Sequence, residues 1–276
     1  MLRDRAQSAA LLVPPLLLVL WLGGPWIAAV VALAVAVAAR EAFRLLEAAG
    51  HPSFATLGIV LAVVVALADT VAPITGGAGL LLASVGMIVV GSAALTRPDP
   101  REGLASFATT VFGALYAGLL GFVPRLGAEA PAIPDGAPLG FLGSERGWIL
   151  LLLLSVWAFD TGAYAVGRRY GRRPFMAHIS PSKTVEGVVG GAASATAVAG
   201  ALVLGLGGTP LAGIGLGLVV AVSAQAGDLV ESMLKRAAGV KDSGRLIPGH
   251  GGLLDRVDSF LFAAPAVLLY VHVVIR

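Results

Sequence analysis

Long apolar runs alternate with short polar connections along this chain, and the runs match the length of a bilayer-crossing helix. Nine such spans are predicted, over residues 7–22, 24–40, 54–73, 78–96, 104–123, 147–168, 186–206, 210–230 and 257–275. Within them polar and apolar residues do not alternate, as they would in the strands of a membrane β-barrel. The expected fold is therefore all-α, a polytopic transmembrane helical bundle of about nine spans. The first run is short and contains Pro14 and Pro15, which predicts a kink or a tilt. Gly23-Gly24-Pro25 divides it from the second run, either as a boundary between spans or as a re-entrant turn. The second run continues into the amphipathic segment REAFRLLEAAG.

Lysines and arginines in the connections set the orientation. With the N-terminus in the cytoplasm, 16 of the 19 cations fall on the cytoplasmic side, and only Arg125, Arg146 and Arg276 lie outside. Shifting the register by one span spoils this bias, which favours an odd number of spans. The N-terminal run is read as a retained first helix, because further spans follow at once and no small-x-small cleavage site intervenes. The long outer connection, PRLGAEAPAIPDGAPLGFLGSERG, is rich in Pro, Gly and Ala and holds nothing that looks catalytic. The expected location is the cell (inner, cytoplasmic) membrane, with the working face toward the cytoplasm.

Composition agrees. With 57% hydrophobic and 13% charged residues, an ordinary soluble domain is excluded. The absence of cysteine excludes a disulfide framework and thiolate chemistry. A net charge of +3 matters less than where the cations lie. They sit in short loops between spans, so nucleic acid is not an expected partner. No repeat and no linker is visible, which predicts one integral membrane domain over residues 1–276. Residues 1–140 read mainly as scaffold helices, and residues 141–276, with nearly all the unusual polar side chains, as the catalytic half.

Three polar clusters in that second half carry chemistry. In the sixth span, Asp160 and Tyr164 are four apart and share a helix face. A carboxylate in a span faces the bundle interior or a water-filled cavity, and the plain alternative is packing glue between helices. The second cluster, His178 to Gly187, leads into the seventh span. Ser180, Ser182 and Thr184 are cap residues, with Glu186 near the helix start. Such a start with Lys183 beside it also suits a phosphate, while an ordinary capped helix explains it equally well. The upstream GRRYGRRP reads as a positive-inside flank or an anionic-lipid contact.

The third cluster runs from Gln225 to Asp258. Asp228 and Lys235 are seven apart on one helix face, and Glu231 and Lys235 are four apart. A loop containing Gly239, Lys241, Asp242, Gly244, Gly249, His250, Gly251 and Gly252 follows, and its glycines permit close backbone approach to a ligand. Asp255, Arg256 and Asp258 then open the last span. Asp228 and Asp255 stand at the cytoplasmic ends of two helices, placed to hold a divalent cation with phosphates in other positions. The plain alternative is a set of snorkelling surface salt bridges. The chemistry these residues suit is nucleotidyl or phosphoryl transfer, which depends on charge neutralisation and positioning more than on a protein nucleophile. The serines and threonines lack a His/Asp triad, and four histidines without a His-x-x-x-His pairing argue against zinc.

The stretch Ser232-x-x-Lys235-Arg236-x4-Lys241-Asp242-x-Gly244-x3-Pro248-Gly249-His250-Gly251-Gly252-x2-Asp255-Arg256-x-Asp258 closely resembles the signature of the phosphatidate cytidylyltransferases, or CDP-diacylglycerol synthases. Asp160-Thr161-x-Ala163-Tyr164 and Ser180-Pro181-x-Lys183-Thr184-x-Glu186-Gly187 resemble that family's upstream motifs. The resemblance implies CTP and phosphatidic acid as partners, in surrounding membrane lipid, and Mg²⁺ as cofactor. A second, monovalent cation and a homodimer are left open. Carried onto this sequence, it implies Asp228 and Asp255 as metal ligands, with Asp258 as a supporting or additional one. Lys183, Thr184, Lys235, Arg236, Gly249, Gly251 and Gly252 are expected to bind the nucleotide. Lys241, Asp242, His250, Arg256 and Asp258 complete the expected catalytic group.

Two other readings compete. A transporter or channel would spread polar residues through the membrane depth, whereas here they gather on one side, with Asp69 the chief exception. A related CTP-using enzyme acting on another lipid, such as a polyprenol or phytol kinase or an archaeal-type ether-lipid cytidylyltransferase, differs in product: a kinase releases CDP, a cytidylyltransferase pyrophosphate.

Overall fold

The computed structural model describes residues 14–71, 78–244, 246 and 251–275, with residues 69–71 and 78 as backbone only. Among them the regular structure is helical, relieved by one isolated bridge between Pro174 and Thr184. Helix α1 covers residues 14–22. It is followed by α2 (Gly24–Ala48), α3 (Ala55–Val71), α4 (Ala78–Ala94), α5 (Pro100–Gly118), α6 (Phe122–Glu129), α7 (Ser144–Tyr170), α8 (Val185–Gly205), α9 (Pro210–Ala237) and α10 (Leu254–Tyr270). Among the described residues, six stretches are long and apolar enough to cross a membrane: Gly24–Ala48, Pro100–Glu129, Ser144–Tyr170, Val185–Gly205, Pro210–Ala237 and Leu254–Ile275. Ala55–Ala68 and Gly79–Ala94 are shorter apolar helices at two further expected positions.

Local sequence explains the boundaries. Gly23 takes a left-handed φ of 80°, and Pro25 stands in the first turn of α2, so the chain breaks there and restarts. The amphipathic continuation REAFRLLEAAG stays helical, and α2 reaches 25 residues. Asp99 caps α5 by accepting from the Arg101 amide, and Thr184 caps α8 by accepting from the Gly187 amide. Helix α9 ends in a Schellman-type turn: Gly239 has φ 70°, and the Val240 amide donates to the Lys235 carbonyl at 2.9 Å.

The chain divides into two compact units. One comprises the chain through Gly121 together with Met233–Val257. In it α2 packs on α3 and α5, and α4 packs on α3 and α5. The Phe43 ring is 1% exposed and fills space left by Gly58 and Gly113, where any Cβ would collide with it. The other unit comprises Phe122–Ser232 and Asp258–Arg276. Its main seam joins α7 to α8. The buried residues of α8 recur every fourth position, as Gly187, Gly191, Ala195, Ala199 and Val203. A Cβ on Gly187 or Gly191 would fall within 3.0 Å of the α7 carbonyls of Ala163 and Phe159. Small residues thus let the helix backbones touch, the usual means of association where lipid supplies no hydrophobic drive.

Candidate functional site

Each compact unit holds one group of charged side chains from the expected site. In the second unit, carboxylate oxygens of Asp228, Glu231 and Asp258 all lie within 4.8 Å of one another. Asp228 and Glu231 are three apart on α9 and so share its face. Asp258 comes from α10, and Gly227 explains the approach. A Cβ at position 227 would overlap the Asp258 carbonyl oxygen and press on the Ser259 Cα, so only glycine lets these segments meet so closely. Glu231 is fully buried. Lys183 extends from the turn before α8 and places its Nζ 2.5 Å from Asp228 Oδ2. The Ser259 amide donates to Asp258 Oδ1 at 2.7 Å, fixing that carboxylate at its own backbone.

The turn that delivers Lys183 is tightly specified. The Phe175 amide donates to the Lys183 carbonyl, the Val185 amide to the Arg173 carbonyl, and the Lys183 amide to the Ser180 carbonyl. Glu186 accepts the amides of Arg172 and Arg173 at 3.0 and 3.1 Å, and the Arg173 guanidinium at 3.0 Å. Thr184 serves as the N-cap of α8. Asp160 and Tyr164 lie on an exposed face of α7 rather than among packed side chains, and the Tyr164 hydroxyl accepts from Arg168 at 2.7 Å.

In the first unit the group is organised around Asp255. Its Oδ1 accepts from Lys235 Nζ at 2.7 Å, with the two side chains only 9% and 12% exposed. Its Oδ2 accepts the Ser243 amide at 2.9 Å, the Ser243 hydroxyl at 2.7 Å and the Gly252 amide at 2.8 Å. Gly251 has φ 79°, and a Cβ there would lie 2.6 Å from Asp255 Oδ2. Gly251 is thus demanded by the carboxylate it wraps, and the Gly252 amide is engaged by that carboxylate. Lys241, Asp242, Arg236 and Arg256 are exposed. Arg236 donates to the Val240 carbonyl at 3.1 Å. Gly249 and His250 lie outside the described residues.

The sequence reading paired Asp228 with Asp255 as metal ligands. The structure groups Asp228 with Glu231 and Asp258, and Asp255 with Lys235 and Ser243. Glu231 figured in the sequence reading only as a helix neighbour of Lys235, although its three-residue spacing from Asp228 was the available signal. Glu41 was missed altogether. It is 5% exposed on α2, and its carboxylate accepts the Leu254 amide at 2.7 Å. The signal was a carboxylate on the buried stripe of α2 that includes Ala38 and Leu45.

The carboxylate trio is an all-oxygen donor set, which suits a hard divalent cation. Opposite ligands of Mg²⁺ stand roughly 4.2 Å apart, so oxygens gathered within 4.8 Å need little adjustment to hold one. The apolar helices and this donor set are those of a helical membrane protein with an acidic cluster able to accept a divalent cation. The chain belongs to the Cytidylyltransferase family, whose profile matches residues 3–274. It is 35% identical to the phosphatidate cytidylyltransferase of Synechocystis over 91% of this chain and 89% of that protein. It is 34% identical to the phosphatidate cytidylyltransferase of Mycobacterium tuberculosis H37Rv over 87% of this chain and 73% of the relative. A 120-residue stretch is 47% identical to the enzyme of that name from Staphylococcus aureus COL, covering 43% of this chain and 46% of the relative.

Proposed function

We propose that this protein is a phosphatidate cytidylyltransferase, converting CTP and phosphatidic acid to CDP-diacylglycerol and pyrophosphate. The observation that carries the reading is the convergence of Asp228, Glu231 and Asp258, with Lys183 on Asp228, at the segment whose sequence resembles the family signature. In the reaction a phosphate oxygen of phosphatidic acid attacks the α-phosphorus of CTP. The bond from that phosphorus to the bridging oxygen breaks, and pyrophosphate leaves with the electron pair. Asp228, Glu231 and Asp258 would hold Mg²⁺, which when bound neutralises phosphate charge at the reacting centre. Lys183 offsets the negative charge of the carboxylate group through Asp228. Lys235, oriented by Asp255, is assigned to the triphosphate. Arg236, Lys241 and Arg256, all exposed, are assigned to attracting the two anionic substrates.

The orientation proposed is nine spans with the N-terminus in the cytoplasm, supported by the cation asymmetry of the connections. It sets the reaction on the cytoplasmic side of the cell membrane, where CTP is dissolved and the head group of an inner-leaflet lipid is within reach.

The test is pyrophosphate release by purified protein in detergent with CTP, phosphatidic acid and Mg²⁺, each omitted in turn. The expected result is release that needs all three, with CDP-lipid formed in equal amount. CDP appearing in place of pyrophosphate would assign the protein to the lipid kinases.

A further inference from the structure

We infer that Glu41, on the second helix and remote in sequence from the three polar clusters of the second half, is a positioning residue for the nucleotide end of this reaction. The inference rests on the proposed function and concerns the first compact unit alone. Glu41 is 5% exposed, and burial of a carboxylate is costly unless donors meet it. Among the described residues the nearer donor is the Leu254 amide, 2.7 Å from Glu41 Oε2. Leu254 is the first residue of α10, so its N–H has no partner within the helix and lies at the positive end of the helix dipole. The cap of α10 is thus supplied by a side chain more than 200 residues earlier in the chain.

The same carboxylate lies against both ends of the segment that leads to α10. At its near end, a Cβ on Gly244 would stand 2.5 Å from Glu41 Oε1. At its far end, a Cβ on Gly252 would stand 2.5 and 2.6 Å from the two Glu41 oxygens. Ser243 joins Glu41 to the ion pair. Its hydroxyl is 2.7 Å from Asp255 Oδ2 and 3.4 Å from Glu41 Oε2. The single hydroxyl proton goes to the shorter contact, which leaves Glu41 to be held chiefly by the helix N-terminus. Asp255 in turn holds Lys235 at 2.7 Å. A displacement at Glu41 therefore reaches Lys235 through the Leu254 amide, along the chain to the adjacent Asp255, and across the Asp255–Lys235 ion pair. A leucine would fill the volume and satisfy the apolar stripe of α2, but it would offer the Leu254 amide nothing.

The test uses the full-length protein in detergent, as wild type, Glu41→Gln and Glu41→Leu. Two readouts are taken: KM for CTP and for phosphatidic acid, and hydrogen exchange of the amides in 243–254. Glu41→Leu is expected to raise KM for CTP about tenfold or more. Its KM for the lipid should stay within about twofold, and exchange should quicken in 243–254 but not in α3 or α5. Glu41→Gln keeps an acceptor oxygen for the Leu254 amide and should restore most of both readouts. Unchanged exchange in 243–254 in the leucine variant would overturn the inference. So would a rise in both KM values accompanied by faster exchange throughout α3 and α5, which is general destabilisation. A wild type that shows no CTP turnover would sink the proposed function instead, and the exchange arm would still decide whether Glu41 holds the segment.

Discussion

The two charged groups are built from the same residue types in opposite ways. In the second unit, Asp228, Glu231 and Asp258 bring carboxylate oxygens within 4.8 Å of one another, with Lys183 on Asp228. In the first unit, Asp255 shares its two oxygens among four separate donors from Lys235, Ser243 and Gly252. Like charges at such range raise the energy of the empty fold, and that is tolerable where a cation arrives to relieve it. Asp255, surrounded by donors, ties the Ser243 and Gly252 backbone amides to one carboxylate oxygen. Proximity to other acids, rather than acidity, separates a candidate cation ligand from a structural clamp.

The largest effect expected follows from that separation. Asp228→Asn and Asp258→Asn should each lower kcat/KM by about 10³-fold. Each should also abolish the rise in thermal midpoint that Mg²⁺ gives the wild type. Without Mg²⁺ each variant removes a like charge from the trio, but Asp228→Asn also loses the Lys183 ion pair and should be the less stable of the two. Thermal unfolding with and without Mg²⁺ reads both points. Asp255→Asn should keep the Mg²⁺ response, and the opposite pattern would exchange the roles assigned to the two groups.

Next in size is the clamp itself. Lys235 and Asp255 are nearly buried, so breaking the pair removes a charge-assisted contact from a poorly solvated site, at a cost of about 3–5 kcal/mol. Asp255→Ala is expected to show this as a large fall in thermal midpoint. The paired change Lys235→Met with Asp255→Leu should recover much of the stability but not the activity. Recovery of both would remove Lys235 from the reaction.

Gly227 offers a purely steric test. Gly227→Val pushes a side chain into the Asp258 carbonyl and should cost about 1–3 kcal/mol. The Mg²⁺ response should weaken with it, since the carboxylates of α9 and α10 would be spread. A variant as active and as Mg²⁺-responsive as wild type would detach the trio from the chemistry.

Helix positions were legible in the sequence because apolar periodicity is a local property, and the eight expected runs from residue 24 onward each meet a helix among the described residues. The break at Gly23 and the long reach of α2 were equally readable from glycine, proline and the amphipathic pattern. The membership of the two groups was not. Asp255 and Asp258 are three apart at one helix start, and spacing alone cannot say which meets α9 residues Asp228 and Glu231. That depends on the Gly227 approach, a tertiary fact. Nor could sequence tell that Gly251 and Gly252 are glycines because carboxylates press on them. The partners of Glu41 lay beyond reach for another reason: they are far along the chain, and its place on the stripe of α2 does not announce them.

The smallest expected effect concerns Lys183, the lysine paired with Asp228 of the carboxylate trio. Thr184 was read from sequence as a nucleotide contact, and the structure gives its hydroxyl a local task, accepting the Gly187 amide at 3.1 Å. That bond starts α8 directly after Lys183 and so helps hold the lysine toward Asp228. A cap of this kind is worth about 1 kcal/mol. Thr184→Ala should lower the thermal midpoint by a few degrees and the rate by a few-fold, while Thr184→Ser, which keeps the acceptor, should behave as wild type. If Thr184→Ala instead raised KM for CTP tenfold at unchanged thermal midpoint, the hydroxyl would be touching substrate. The trio would then have a neighbour in the reaction, and not only a support for its lysine.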